Sequence, residues 1–307
     1  MPSDYRKAPA ADFVLPFDLP SAGTRGRLVR LDAASAQALK AHRLPEPAGR
    51  IAGEVLVLAA MLGAALKLDG RLTVQTKSSG PLDLATADYY GAEADQPAGL
   101  RGFARVDEQR LGELGAAPAF AELVGEGSLA ITIEPRRGGQ TYQGIVALSP
   151  EGIAASAEIY FAQSEQLPTA IRLSAAPVYT PGTKAPHWRV GGLMLQATPE
   201  GRRDEDDWER LSLFLKTVED FELVDTSLPA ETLLWRLFHE DEVRVLPAEP
   251  IQFRCDCSTK RISGVLSSYS AEDRKGLADA DGIIRARCEF CGMVHEIDPN
   301  AELVLKR

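Results

Sequence analysis

Every cysteine of the chain falls between Cys255 and Cys291, and none occurs in the first 254 residues. They form two close pairs, Cys255-Asp256-Cys257 and Cys288-Glu289-Phe290-Cys291, separated by 30 residues. Two such pairs across a loop suit tetrahedral Zn²⁺ held by four thiolates, a closed shell with no position left for a substrate. Gly292 follows the last cysteine, where a knuckle must turn backbone amides toward sulfur and a small residue is favoured. Arg254 and Arg287 each precede a pair and would offset the charge of four thiolates. His295, four residues past Cys291, falls outside a shell that four cysteines already complete. The first pair is C-x-C, whereas close pairs in structural zinc sites have at least two intervening residues.

That departure bears on oxidation. A metal shared by both pairs ties the module across its loop and supplies on the order of 10–16 kcal/mol of apparent folding free energy. Were each close pair to become its own disulfide, only tiny loops would be closed, the long-range tie would be lost, and the module would unfold. Cross-paired disulfides, such as Cys255 with Cys288, would keep the tie and predict the opposite. A C-x-C bond closes a short, strained ring and is easily reduced again. The residues alone leave both pairings open.

Several function classes are disfavoured. With 44 acidic residues against 34 basic and a net charge of -10, no general nucleic-acid binder is expected. No charged-then-apolar secretory leader is visible, and the longest apolar run, residues 55–66, is shorter than the roughly 20 residues a membrane span needs. The expected setting is a reducing cytoplasm, where clustered cysteines serve metal or redox chemistry more than static disulfides. No nucleophile motif, phosphate loop or catalytic triad is present, and Gly191-Gly192 has no Lys-Ser/Thr partner, so no enzyme is expected.

Periodicity predicts an α+β chain in three parts. Residues 1–198 read as an α/β sandwich-like domain. Strands are expected near 26–31, 72–76, 129–133, 142–148, 170–173 and 193–196, and helices from about 33 and over 51–67. A further helix is expected to open at Ser149-Pro150, a hydroxyl cap followed by proline, with Ile153, Ala157, Tyr160 and Phe161 on one face. Residues 199–248 read as an acidic, aromatic helical linker, and 249–307 as a small zinc-binding module. Residues 200–245 carry 14 acids and 6 bases, together with two of the three tryptophans. Trp208, Leu211, Leu215 and Val218 share one helical face, and a second helix is expected near 229–239. The acidic run from Asp204 to Glu209 reads as a solvated helix start. Mutual repulsion and an aromatic face that needs a neighbour predict a metastable segment, held by the sheet and the zinc module. Released, it would offer Trp208, Phe214, Phe221 and Trp235 to other apolar chains.

The cysteine order resembles that of the bacterial redox-regulated holdase chaperones of the heat shock protein 33 family. Supporting motifs run along nearly the whole chain: Tyr142-Gln143-Gly144, Tyr160-Phe161 with Ser164-Glu165-Gln166-Leu167-Pro168-Thr169, Gly191-Gly192-Leu193-Met194-Leu195-Gln196, and Leu234-Trp235-Arg236-Leu237-Phe238-His239-Glu240. The resemblance implies an ATP-independent holdase for unfolding proteins. Reduced, it is inactive with one zinc on Cys255, Cys257, Cys288 and Cys291. Oxidants such as hypochlorous acid, or peroxide with heat, form Cys255–Cys257 and Cys288–Cys291 disulfides and release the metal. The module and linker then unfold and the protein forms a homodimer. The rivals are a purely structural zinc ribbon acting as an interaction or nucleic-acid module, disfavoured by the near-neutral tail of 9 bases and 10 acids, and a catalytic dithiol, disfavoured by the loop-rich setting of the pairs.

Overall fold

Phe13, Leu15, Phe17 and Leu19 point to one face and Val14 to the other, and all are buried, so the segment before the first expected strand contains a central strand of its own. The computed structural model describes residues 9–179, 181–182, 186–198 and 205–300. This strand, β1 (Phe13–Leu19), pairs antiparallel with β2 (Thr24–Leu31), which leads into helices α1 (Ala33–Leu39) and α2 (Glu46–Ala65). Three antiparallel strands follow, β3 (Gly70–Ser78), β4 (Leu82–Tyr90) and β5 (Ala98–Val106), then short helices α3 (Glu108–Glu113) and α4 (Phe120–Val124). β6 (Gly127–Pro135) and β7 (Tyr142–Ala147), both near expected strands, pair antiparallel as a hairpin. α5 (Ile153–Tyr160) precedes β8 (Thr169–Val178) and β9 (His187–Ala197). Helices α6 (Glu205–Lys216), α7 (Asp220–Val224) and α8 (Ala230–Phe238) lead to β10 (Arg244–Val245) and β11 (Glu249–Phe253).

The strands make one large sheet in the order β7-β6-β3-β4-β5-β11-β1-β2-β9-β8, with β10 beside β1. β11 joins the two halves, parallel to β5 and antiparallel to β1. The apolar helix α2 packs on β3, β4 and β5 and also on β2, β8 and β9, which requires the sheet to curl around it. By length and composition α2 could cross a membrane, but 83% of its apolar window is buried in this core.

The period-2 alternation of β1, β2 and β9 sends one set of side chains toward α2 and the other outward. The outward set, including Leu15, Phe17, Leu28, Leu193 and Leu195, meets Leu211, Leu215, Val218, Leu223, Leu233, Leu234 and Phe238 of α6–α8 in a second core. The acidic segment is therefore docked through an apolar face of its own. A bidentate pair of Arg210 with the buried Asp241, both contacts 2.9 Å, ties α6 to the chain just after α8. Asp204, the first acid of the run that ends at Glu209, lies outside the described residues, and Asp207 pairs with Arg210.

One expected helix start is wrong. Ser149-Pro150 forms a turn in which the Ser149 hydroxyl accepts from Glu151 N–H, and α5 begins three residues later, after Gly152 at φ 129°. The expected buried face of Ile153, Ala157, Tyr160 and Phe161 is present.

The chain divides into two compact units, residues 1–253 and 254–307. The second consists of α9 (Thr259–Leu266), α10 (Ala271–Gly276) and the hairpin β12 (Ile284–Arg287) with β13 (Val294–Ile297). Its core has only three buried apolar side chains among the described residues, Leu266, Ile284 and Ile297. Domains this small rarely hold together on apolar burial alone and take a metal or a disulfide.

Candidate metal centre

Cys255 and Cys257 lie on the irregular segment before α9, where the Ser258 hydroxyl caps the helix by accepting from Arg261 N–H. Cys288 and Cys291 lie in the turn that joins β12 to β13. Gly292 N–H donates to Cys288 O at 2.8 Å and Cys288 N–H to Met293 O at 2.9 Å. That turn needs φ of 72° at Gly292, a conformation L side chains rarely adopt, which accounts for the glycine.

The four sulfur atoms lie within 4.8 Å of one another and are bonded to none of their number. The Cys255–Cys288 and Cys257–Cys291 distances are 3.7 and 3.4 Å. A tetrahedral zinc site with arms of about 2.3 Å has edges of about 3.8 Å, so these thiols suit such an ion with small adjustment. All four are partly buried. Burial, then contact with the Cys291 and Cys255 thiols, pushes the Cys257 thiol up, and burial pushes Cys291 up as well. Cys288 moves the other way: burial raises it, but the N–H groups of Cys291 and Phe290, together with the Cys291 and Cys255 thiols, favour the thiolate and bring it below its ordinary value.

His295 occupies β13, is 6% exposed, and places Nε2 3.4 Å from Cys257 Sγ and Nδ1 3.2 Å from Thr259 Oγ1. It is thus a neighbour of the cage and not a member. Its spacing from Cys291 was visible in the sequence, but its partner was not. Arg254 pairs with Asp256 at 3.1 Å.

The four aromatic residues of the acidic segment are not equivalent. Trp208 and Phe214 are half-buried against the second core, whereas Phe221 and Trp235 are 65% and 63% exposed. Sequence reasoning missed Arg30, which sits in a strand between apolar residues and looks like a surface arginine, yet is almost fully buried beneath α7.

Fold and site together define a protein whose chemistry centres on a four-thiol cage able to hold a metal ion, carried on a small C-terminal module. Known proteins point the same way. The Hsp33 protein family model matches residues 12–298. The 33 kDa chaperonin of Caulobacter vibrioides is 37% identical over 294 residues, 94% of this chain and 95% of that one. The 33 kDa chaperonin of an Escherichia coli strain is also 37% identical, over 87% of this chain and 86% of its own. In fold, the chain is similar to the crystal structure of the 33 kDa chaperonin of Thermotoga maritima, with a TM-score of 0.74 at 19% identity over 94% and 95% of the two chains. The chain belongs to the Hsp33 family of redox-regulated holdase chaperones.

Proposed function

We propose that Cys255, Cys257, Cys288 and Cys291 hold one Zn²⁺ per chain in the reduced, resting protein, and that oxidation of these thiols turns the holdase on. The observation that carries this reading is the convergence of four sulfurs within 4.8 Å on a module with three buried apolar side chains among its described residues. Zinc, when bound, supplies a cross-link between the two cysteine pairs and takes no part in chemistry on a substrate.

The proposed oxidant is a two-electron one such as hypochlorous acid, or peroxide with heat. For each pair, two thiolates, freed from any bound metal, give up two electrons and one S–S bond forms; hypochlorous acid takes up the two electrons with one proton from solvent and leaves as chloride and water. The proposed bonds are Cys255–Cys257 and Cys288–Cys291. Each closes a loop of only a few residues, so neither replaces the tie across the module, and the module unfolds. The docked segment follows, and its apolar face, with Trp208, Phe214, Phe221 and Trp235, becomes the proposed surface for unfolding client proteins. Its acids keep the complex in solution. The active form is proposed to be a homodimer in the cytoplasm, engaging neither nucleic acid nor membrane.

Light scattering of a thermally unfolding client, without nucleotide, tests this. Suppression by the oxidised protein and none by the zinc-loaded reduced protein is expected. Equal suppression by both would reduce the cage to a structural zinc site.

A further inference from the structure

Helix α7 is held on the sheet through its backbone carbonyls as well as through the buried Leu223 side chain. Arg30 of β2, 2% exposed, donates from Nε to Leu223 O at 3.2 Å and from Nη2 to Glu222 O at 2.9 Å, and Nη1 donates to Leu228 O. Glu222 and Leu223 belong to the last turn of α7, whose carbonyls have no partner within the helix and carry the negative end of its dipole. From the adjoining part of the sheet, Arg172 of β8 donates from Nη2 to Val218 O and to Asp220 Oδ1, both at 3.0 Å. Between them runs Gly191 of β9. A Cβ there would lie 2.3 Å from Leu223 O, and all three of its nearest heavy atoms would belong to Leu223. So Arg30 and a bare stretch of strand form a seat for the carbonyl end of α7, while Arg172 grips its start.

This seat differs from the rest of the docked surface. Helices α6 and α8 are fixed by apolar side chains, contacts that weaken gradually as surfaces separate. A buried guanidinium that loses its acceptors is far costlier than one that never entered, because charge without partners is strongly disfavoured away from water. The seat therefore favours two states: α7 fully down on its donors, or fully away with the seat open to solvent.

We infer that the Arg30–Gly191–Arg172 seat is a latch that keeps the acidic segment docked, and that its strength sets how readily the segment is released, separately from the metal cage. The latch rests on the proposed holdase switch for its consequence, but its own test does not use a client. The experiment is hydrogen exchange on the full-length, reduced, zinc-loaded protein, comparing wild type with Arg30→Met, Arg172→Met and Gly191→Ala. Arg30→Met removes the donors at similar volume. Gly191→Ala leaves every donor in place and intrudes only on Leu223, so it serves where Arg30→Met fails to fold.

The expected result is a loss of protection of about tenfold or more at amides of residues 218–228, the scale of one to a few hydrogen bonds to a charged group. Protection of β3, β4 and β6 should hold, and zinc content, read by a chromogenic chelator after denaturation, should stay at the wild-type level. Unchanged protection of residues 218–228 in Gly191→Ala and Arg30→Met would overturn the latch. Loss of protection throughout the large sheet in Gly191→Ala would also overturn it, since the seat would then belong to the fold and not to a releasable contact. Failure of the oxidised wild type to suppress client aggregation would sink the holdase reading while leaving the exchange result intact.

Discussion

His295 Nε2 stands 3.4 Å from Cys257 Sγ, while Thr259 Oγ1 stands 3.2 Å from its other ring nitrogen. In the tautomer in which the Thr259 hydroxyl donates to Nδ1, the Nε2–H group faces the Cys257 sulfur. Such outer partners orient a ligand and stabilise it as thiolate, and their loss commonly lowers metal affinity by about 10–100-fold. His295→Phe, which keeps the ring volume in a buried place, should bind zinc at least about tenfold more weakly in competition with a chromophoric chelator. An unchanged affinity would mean that the contact is packing only.

Replacing one ligand should undo the module but not the sheet. Cys257→Ser removes one corner of the cage, and the three buried apolar residues among the described part of the module are a poor substitute for a metal whose binding is worth on the order of 10 kcal/mol of folding in modules of this kind. Two-dimensional NMR should show collapsed dispersion for residues 254–300 with the signals of the large sheet retained. A chelator strong enough to strip wild type should give the same spectrum.

These elements were unequally legible in the sequence. The cage was legible because ligand spacing is a local property, and the Gly292 turn followed from it. Helix α2 and the hairpin of β6 and β7 were legible because their apolar periods are long. Strand β1 was not: Pro16 and the burial of both its faces erase the alternation that marks a half-buried strand. The start of α5 was misread because Ser149-Pro150 satisfies the local rule for a cap and the rule for a turn equally well, and only the packing of Ile153 decides. Arg30 was illegible for a different reason. Its partners are carbonyls more than 190 residues away, and carbonyls leave no trace in a sequence.

The exposed and buried residues of the acidic segment should separate stability from client capture. Phe221 and Trp235 are largely solvated, so Phe221→Ala and Trp235→Ala should each shift resting stability by no more than about 0.5 kcal/mol. Leu211 is fully buried, and Leu211→Ala should cost about 2–5 kcal/mol and loosen α6. In light scattering, the two aromatic variants should hold less client after oxidation, whereas Leu211→Ala should begin to hold client before oxidation. Wild-type capture by the double variant Phe221→Ala/Trp235→Ala would remove these side chains from the client surface.

Glu54 gives the docked segment a dependence on pH. It lies half-buried on α2, and desolvation there, followed by the nearby Asp220 of α7, raises its pKa from 4.5 to about 8, against the opposing charges of Arg50 and Arg172. The folded protein therefore binds this proton more tightly than the unfolded chain does. Stability from the protonated form is complete below pH 4.5 and is lost as pH rises through about 8, where ionised Glu54 faces Asp220 and competes for Arg172. Glu54→Gln fixes the neutral form. Urea midpoints of variant and wild type should agree near about pH 5 and diverge by about pH 9. The variant should then be more stable by about 1.4 kcal/mol for every tenfold by which folding tightens the hold of Glu54 on its proton. Exchange at residues 218–228 in the wild type, corrected for its intrinsic pH dependence, should quicken over the same interval and stay flat in Glu54→Gln. Parallel urea midpoints for the two proteins from about pH 5 to about pH 9 would show that Glu54 is already ionised in the resting fold.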